Sequence, residues 1–97
     1  MAKTREEGYA AIEDLIVYLR SIEGESRGRA LRGADLIAGY LTTLRKDFDL
    51  GSHALAYGLG GKGLLDWRWT KAEVAEIQRR CHGILGWLLS PDARSEG

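Results

Sequence analysis

Two four-residue stretches, TREE at Thr4–Glu7 and TKAE at Thr70–Glu73, constrain this chain most. Both have the S/T-x-x-E form of a capping box. The hydroxyl accepts from a backbone N–H that has no partner within the helix, and the carboxylate reaches back to the N-cap N–H. Each is followed by apolar residues at helical spacing. After the first come Ala11, Ile12, Leu15, Ile16, Leu19 and Ile22; after the second, Val74, Ile77, Cys81, Ile84, Leu85 and Leu88. Recurrence every three to four residues is the mark of an amphipathic helix with one face toward a core.

The spacing predicts helices over about residues 5–22 and 70–89, the first stopped at Gly24 and the second ended by Ser90-Pro91. Trp69, just before the second cap, and Val74, four positions after it, form a hydrophobic-staple pair. Glu76 and Arg80 form an i,i+4 charge pair. Between these helices Ala30, Ala34, Ile37, Leu41, Leu44 and Phe48 fall on one stripe. They predict a further helix over about 27–48, with Ser26 as its cap and Gly51 as its stop. Gly28, Gly33 and Gly39, with Ala30, Ala34 and Ala38, keep this helix slim enough for a close neighbour. A short helix capped by Ser52 fits residues 52–59, and residues 91–97 read as a frayed polar tail. No stretch alternates apolar and polar residues over a strand's length. The expectation is all-α: one domain over 1–97, a small three- to four-helix bundle. An antiparallel helical hairpin is closed by the C-terminal helix packed across both its members.

The chain has 97 residues, 44% of them hydrophobic and 29% charged, which suits one domain with a packed core. Its 14 basic residues balance its 14 acidic ones. That argues against a dedicated nucleic-acid coat or a membrane-surface peptide. The charge is unevenly placed. Residues 1–26 carry three basic and six acidic side chains, residues 27–48 five basic and two acidic. Helices of opposite sign suit each other side by side. Cys81 is the only cysteine, so no internal disulfide can form, and no apolar run reaches the length of a membrane span. A cytoplasmic setting is the expectation.

The stretch 57–69, YGLGGKGLLDWRW, raises the question of chemistry. Gly58, Gly60 and Gly63 match G-x-G-x-x-G. That motif works only between a strand and a helix whose N–H groups meet a pyrophosphate. No strand precedes it, and the next helix starts only at about residue 70. The P-loop pattern fails too: Gly63 follows Lys62 where Ser or Thr should hold magnesium, and Ala56 stands where the first glycine should be. The stretch reads as a linker that reverses the chain. Cys81 and His82 are sequence neighbours and point about 100° apart on a helix, so they make no nucleophile–base pair. Two histidines and one cysteine lack zinc spacing. Glu6-Glu7 and Glu13-Asp14 sit on a solvated face. The sequence shows no catalytic set, no cofactor and no metal site, and the chain is read as non-enzymatic.

What remains is surface aromatic and arginine residues. Trp67 either covers the open end of a small helical core or anchors a partner, since Trp, Tyr and Arg dominate binding hot spots. Arg27, Arg29 and Arg32 crowd the start of the second helix, where cations oppose the helix dipole. They have Glu23 and Glu25 as potential partners. Leu36 and Tyr40 project away from the core stripe near Arg29 and Arg32, either exposed as an interface or covered by the 52–65 segment. The expected partner-binding set is Trp67, Arg68, Tyr57, Arg29, Arg32, Leu36 and Tyr40. The expected function is a small regulator or inhibitor that docks on a larger protein. Accessory proteins of phages or mobile elements, of the anti-activator or anti-CRISPR type, are of this size and kind. The alternative is a nucleic-acid-binding transcriptional regulator using the basic start of helix two. A homodimer through the small-residue face of that helix is compatible with either.

Overall fold

The computed structural model describes residues 4–60, 63–90 and 93. Helices α1 (Arg5–Ser21), α2 (Arg27–Lys46), α3 (Phe48–Gly58) and α4 (Lys71–Leu88) make an all-α bundle, with single 3-10 turns at Gly24–Ser26 and Leu64–Asp66. Both capping boxes form. Thr4 accepts from the Glu7 N–H at 3.1 Å and Glu7 accepts from the Thr4 N–H at 2.9 Å. Thr70 and Glu73 repeat this at 3.2 and 2.9 Å.

α1 and α2 form the expected antiparallel hairpin: Ile22 abuts Arg27 at the turn, and far from it Arg45 pairs with Glu13 at 3.4 Å. Gly24, at φ +82°, makes the reversal that an L side chain rarely adopts. Most of each predicted stripe lies in the core, while Ala11, Phe48, Val74 and Leu85 are only partly buried. Ile12, Leu15, Leu19, Ala30, Ala34, Ile37, Ile77 and Cys81 are fully buried. α4 packs chiefly on α1 and touches α3, rather than lying across both helices of the hairpin.

The second half of the hairpin differs from the sequence reading. α2 ends at Lys46, not near 48, and the next helix starts at Phe48 instead of 52. Asp47 alone is extended between them, and its carboxylate accepts from the Leu50 N–H at 3.1 Å. With that cap in place Ser52 is not needed as one; it lies inside α3, buried, its hydroxyl without a partner among the described residues. Phe48 therefore belongs to α3. Gly51 is no stop: a methyl there would come within 2.3 Å of the Leu44 Cα, so the glycine lets two backbones touch. Ser26 makes no cap bond to α2 either; its hydroxyl donates to Glu73 at 2.8 Å, joining the start of α2 to the start of α4.

The other end of the bundle is aromatic. Trp87, absent from the predicted stripe, is buried and meets Tyr9 and Phe48 edge-on, at centroid distances of 6.1 and 6.0 Å. Its indole covers Gly8 so closely that a Cβ there would lie 2.1 Å from the ring. Arg5 and Arg45 sit over Phe48 and Tyr9 at 4.3 and 4.9 Å, contacts that contribute about 0.5–1 kcal/mol each when exposed. Of the expected frayed tail, Ala93 is instead fully buried, and its carbonyl accepts from Arg5 at 3.0 Å. The rest of that tail lies outside the described residues.

Two glycines should respond oppositely to alanine. At Gly51 the added methyl meets backbone and destabilises by about 1–3 kcal/mol. At Gly39 it meets nothing within 4 Å, and the gain in helix propensity stabilises by about 0.5–1 kcal/mol. Thermal unfolding should show a lowered midpoint for Gly51→Ala and a raised one for Gly39→Ala, at about 4–8 °C per kcal/mol.

Candidate functional site

The segment between α3 and α4 builds the site. α3 closes at Leu59, which is fully buried, and the chain turns back. The N–H groups of Gly60 and Gly63 donate to the carbonyls of Tyr57 and Gly60, at 3.3 and 3.0 Å. Those donors are spent on the reversal rather than aimed at a phosphate. Gly63 lies so near Gly58 that a Cβ would stand 2.2 Å from its carbonyl oxygen. Gly61 and Lys62 lie outside the described residues.

Beyond the reversal, Leu64 inserts fully into the core and Trp67 follows it onto α2. Both settle over Gly33. A methyl there would approach Leu64 Cδ1 to 2.9 Å and Trp67 Cζ3 to 3.5 Å. Trp67 and Trp69 stack with centroids 6.1 Å apart and planes 16° from parallel, and the Trp69 indole N–H donates to the Leu64 carbonyl at 2.8 Å. Trp67 thus has the structural task that the sequence left open, packing against the core. It is half-buried, one face on Trp69 and an edge over Gly33. Trp69 has a stacking partner in addition to its expected place before the α4 cap.

Arg29 reaches across from α2 and donates to the Arg68 carbonyl, tying the segment down. Arg29, Arg32, Asp66, Trp67 and Arg68 then line one open depression of about 340 Å³. Four of the seven expected residues meet here. Asp66, on the same rim, was not among them. Tyr40 sits elsewhere, half-buried, its ring edge where a Cβ of Gly58 would be; it is covered by the 52–65 segment instead of exposed. Leu36 is also half-buried. Tyr57 is 70% exposed on α3 and does not line the depression. No ion pair among the described residues joins the α2 arginines to Glu23 or Glu25: Arg27 donates to the Ile22 carbonyl at 3.2 Å, Arg29 to Arg68, and Arg32 is exposed.

Behind the depression, Glu73 ties the start of α4 to the start of α2. It accepts from the Thr70 N–H and from the Ser26 hydroxyl, and Arg29 lies nearby. The Thr70 bond is the largest cause, and with the others it holds the carboxyl below its ordinary value. Elsewhere Cys81 is fully buried, and burial pushes its thiol up to about 12. A thiol so protonated is a core residue, not a nucleophile. Among the described residues no group of three or more His, Cys, Asp or Glu could hold a metal ion, and no helix is long and apolar enough to cross a membrane.

Two consequences are measurable. Cys81 should resist alkylation in the native protein at pH 8 and react once denaturant unfolds it. Glu73, with its folded pKa lowered, contributes stability that is fully present above its ordinary value near 4.5 and lost as pH falls through the folded value. Urea midpoints of the wild type and of Glu73→Ala should therefore differ near neutral pH and converge in acid. Comparison with known protein families, curated proteins and solved structures finds no match for the chain, so its function is read from its own residues.

Proposed function

We propose that this chain is a non-enzymatic protein-binding module that docks on a larger protein through the depression around Trp67. The observation that carries the reading is the convergence of Arg29, Arg32 and Arg68 on the rim of a half-exposed tryptophan. An aromatic anchor ringed by arginines is the composition of a binding hot spot. The indole supplies apolar area that loses water on contact. The exposed guanidiniums of Arg32 and Arg68 offer paired N–H donors to carboxylates. The complementary partner surface presents acidic side chains around an apolar knob or shallow pocket. Because the Arg29 bond and the Trp stack hold the segment before binding, little ordering remains at docking. The role is that of a small regulator or inhibitor. The proposal extends to an accessory protein of a phage or mobile element, of the anti-activator or anti-CRISPR type, proteins of this size.

The test uses partner capture by the intact chain and by three variants. Arg32→Glu and Arg68→Glu change exposed side chains; Trp67→Ala removes the anchor. Each should weaken capture of the same protein by roughly 30-fold, the effect of losing a 2 kcal/mol hot spot, and the two arginine variants, changed at exposed positions, should keep the wild-type helical content and so separate loss of contact from loss of packing. Capture that survives all three sinks this reading. Binding that instead captures nucleic acid, with affinity falling steeply as salt rises, favours the regulator that reads nucleic acid with the start of α2.

A further inference from the structure

On the side of α2 away from the Trp67 depression, α1 and α2 leave an open groove. Val17, 64% exposed, stands over it; Ile16, Ala38, Leu41 and Thr42 line it; Glu13 and Arg20 flank it on α1. Glu13 uses one carboxylate oxygen on Arg45, and Arg20 has no hydrogen bond or ion pair among the described residues. Val17 continues the apolar surface of Ala38 and of the edges of Ile16 and Leu41 into solvent, and the charges on either side of it decide what could cover it.

The order of charge says which partner. Along α1 the exposed edge reads acidic at 13, apolar at 17, basic at 20. Reversed, it reads basic, apolar, acidic. The edge is therefore its own complement when two copies meet antiparallel, as an isologous two-fold interface requires. Distances agree. Glu13 lies about 6 Å before Val17 along the helix and Arg20 about 4.5 Å after it, at 1.5 Å per residue. A two-fold axis near Val17 sets each Glu13 opposite the other copy's Arg20 to within about 1.5 Å along the axis. Small residues at Ala10, Ala38 and Thr42 let the second helix pair come close. We infer that the chain forms a symmetric homodimer through the α1–α2 groove, with the two Val17 side chains at its centre and reciprocal Glu13–Arg20 pairs on either side.

The surface is separate from the proposed docking site. On α2, Arg29, Gly33 and Tyr40 lie on one flank and Ala38, Thr42 and Arg45 on the other, so either assignment can fail without the other.

Sedimentation equilibrium tests the dimer. The wild-type mass should rise from 10.7 kDa toward twice that value with concentration. Val17→Asp should stay monomeric. Glu13→Arg and Arg20→Glu, each of which opposes like charges across the axis, should weaken self-association at least tenfold. Mixed in equal amounts, these two charge variants should dimerise again, because Arg at 13 then faces Glu at 20 and the native pair forms at the other end. All three positions are exposed, and unchanged circular dichroism separates loss of contact from loss of fold. A wild type that stays monomeric at about millimolar concentration, the weak limit of association, overturns the proposal. So does a dimer that withstands Val17→Asp, or charge variants that fail to re-associate on mixing.

Discussion

At Gly51 the backbones of α2 and α3 meet with no side chain between them, and the rest of the bundle takes its positions from that contact. Leu44 lies against the glycine from one side. Because α3 is drawn in there, Leu55 and Leu59 reach the core and the chain leaves α3 beside Tyr40. Leu64 and Trp67 can then descend onto α2. A chain of this length has little interior to spend, and close helix approach raises the share of each side chain that is buried. Gly8 does the same nearby, where it admits the indole of Trp87 against Phe48. These contacts are steric, and they decide position more sharply than the exposed ion pairs, which contribute about 0–1 kcal/mol apiece.

Much of the fold was legible because its signals are local. A capping box is four residues long and carries its own geometry, so the starts of α1 and α4 were readable from TREE and TKAE. Helical spacing gave the buried faces of all three long helices. The parts that were not legible depend on contacts between distant residues. A glycine that ends a helix and a glycine that admits a neighbour have the same side chain, so Gly51 reads as a stop until Leu44 is placed beside it. Asp47 and Ser52 are both good caps, and what separates them is that Ser52 falls on the buried face of α3. Trp87 lies off the simple stripe because the aromatic cluster of Tyr9 and Phe48 widens the core at that end. The site was half-legible for similar reasons. The surplus of arginine and tryptophan stood out in composition, but only the return of the chain over Gly33 brings residues 29 and 32 to residues 66–68. Tyr40 belonged to the packing because Gly58 lay across it.

The site and the cap of α4 are one assembly. Glu73 closes the capping box, receives the Ser26 hydroxyl from the foot of α2, and lies near Arg29. Arg29 in turn holds Arg68. The rim of the depression is thereby referenced to two helix starts instead of to a free loop. That arrangement suits recognition, where surface shape must be in place before the partner arrives.

The single extended residue between α2 and α3 also has a bearing on how this chain can vary. A helix advances about 100° per residue, so one residue added or lost beside Asp47 would turn the entire α3 face, and Gly51 and Leu55 would leave the core together. The connection from α3 to α4 has more residues over which to absorb such a change. Length variation is therefore confined to one of the chain's two corners after α2, and the corner at Asp47 acts as a phase lock, setting rotation as well as direction for everything that follows.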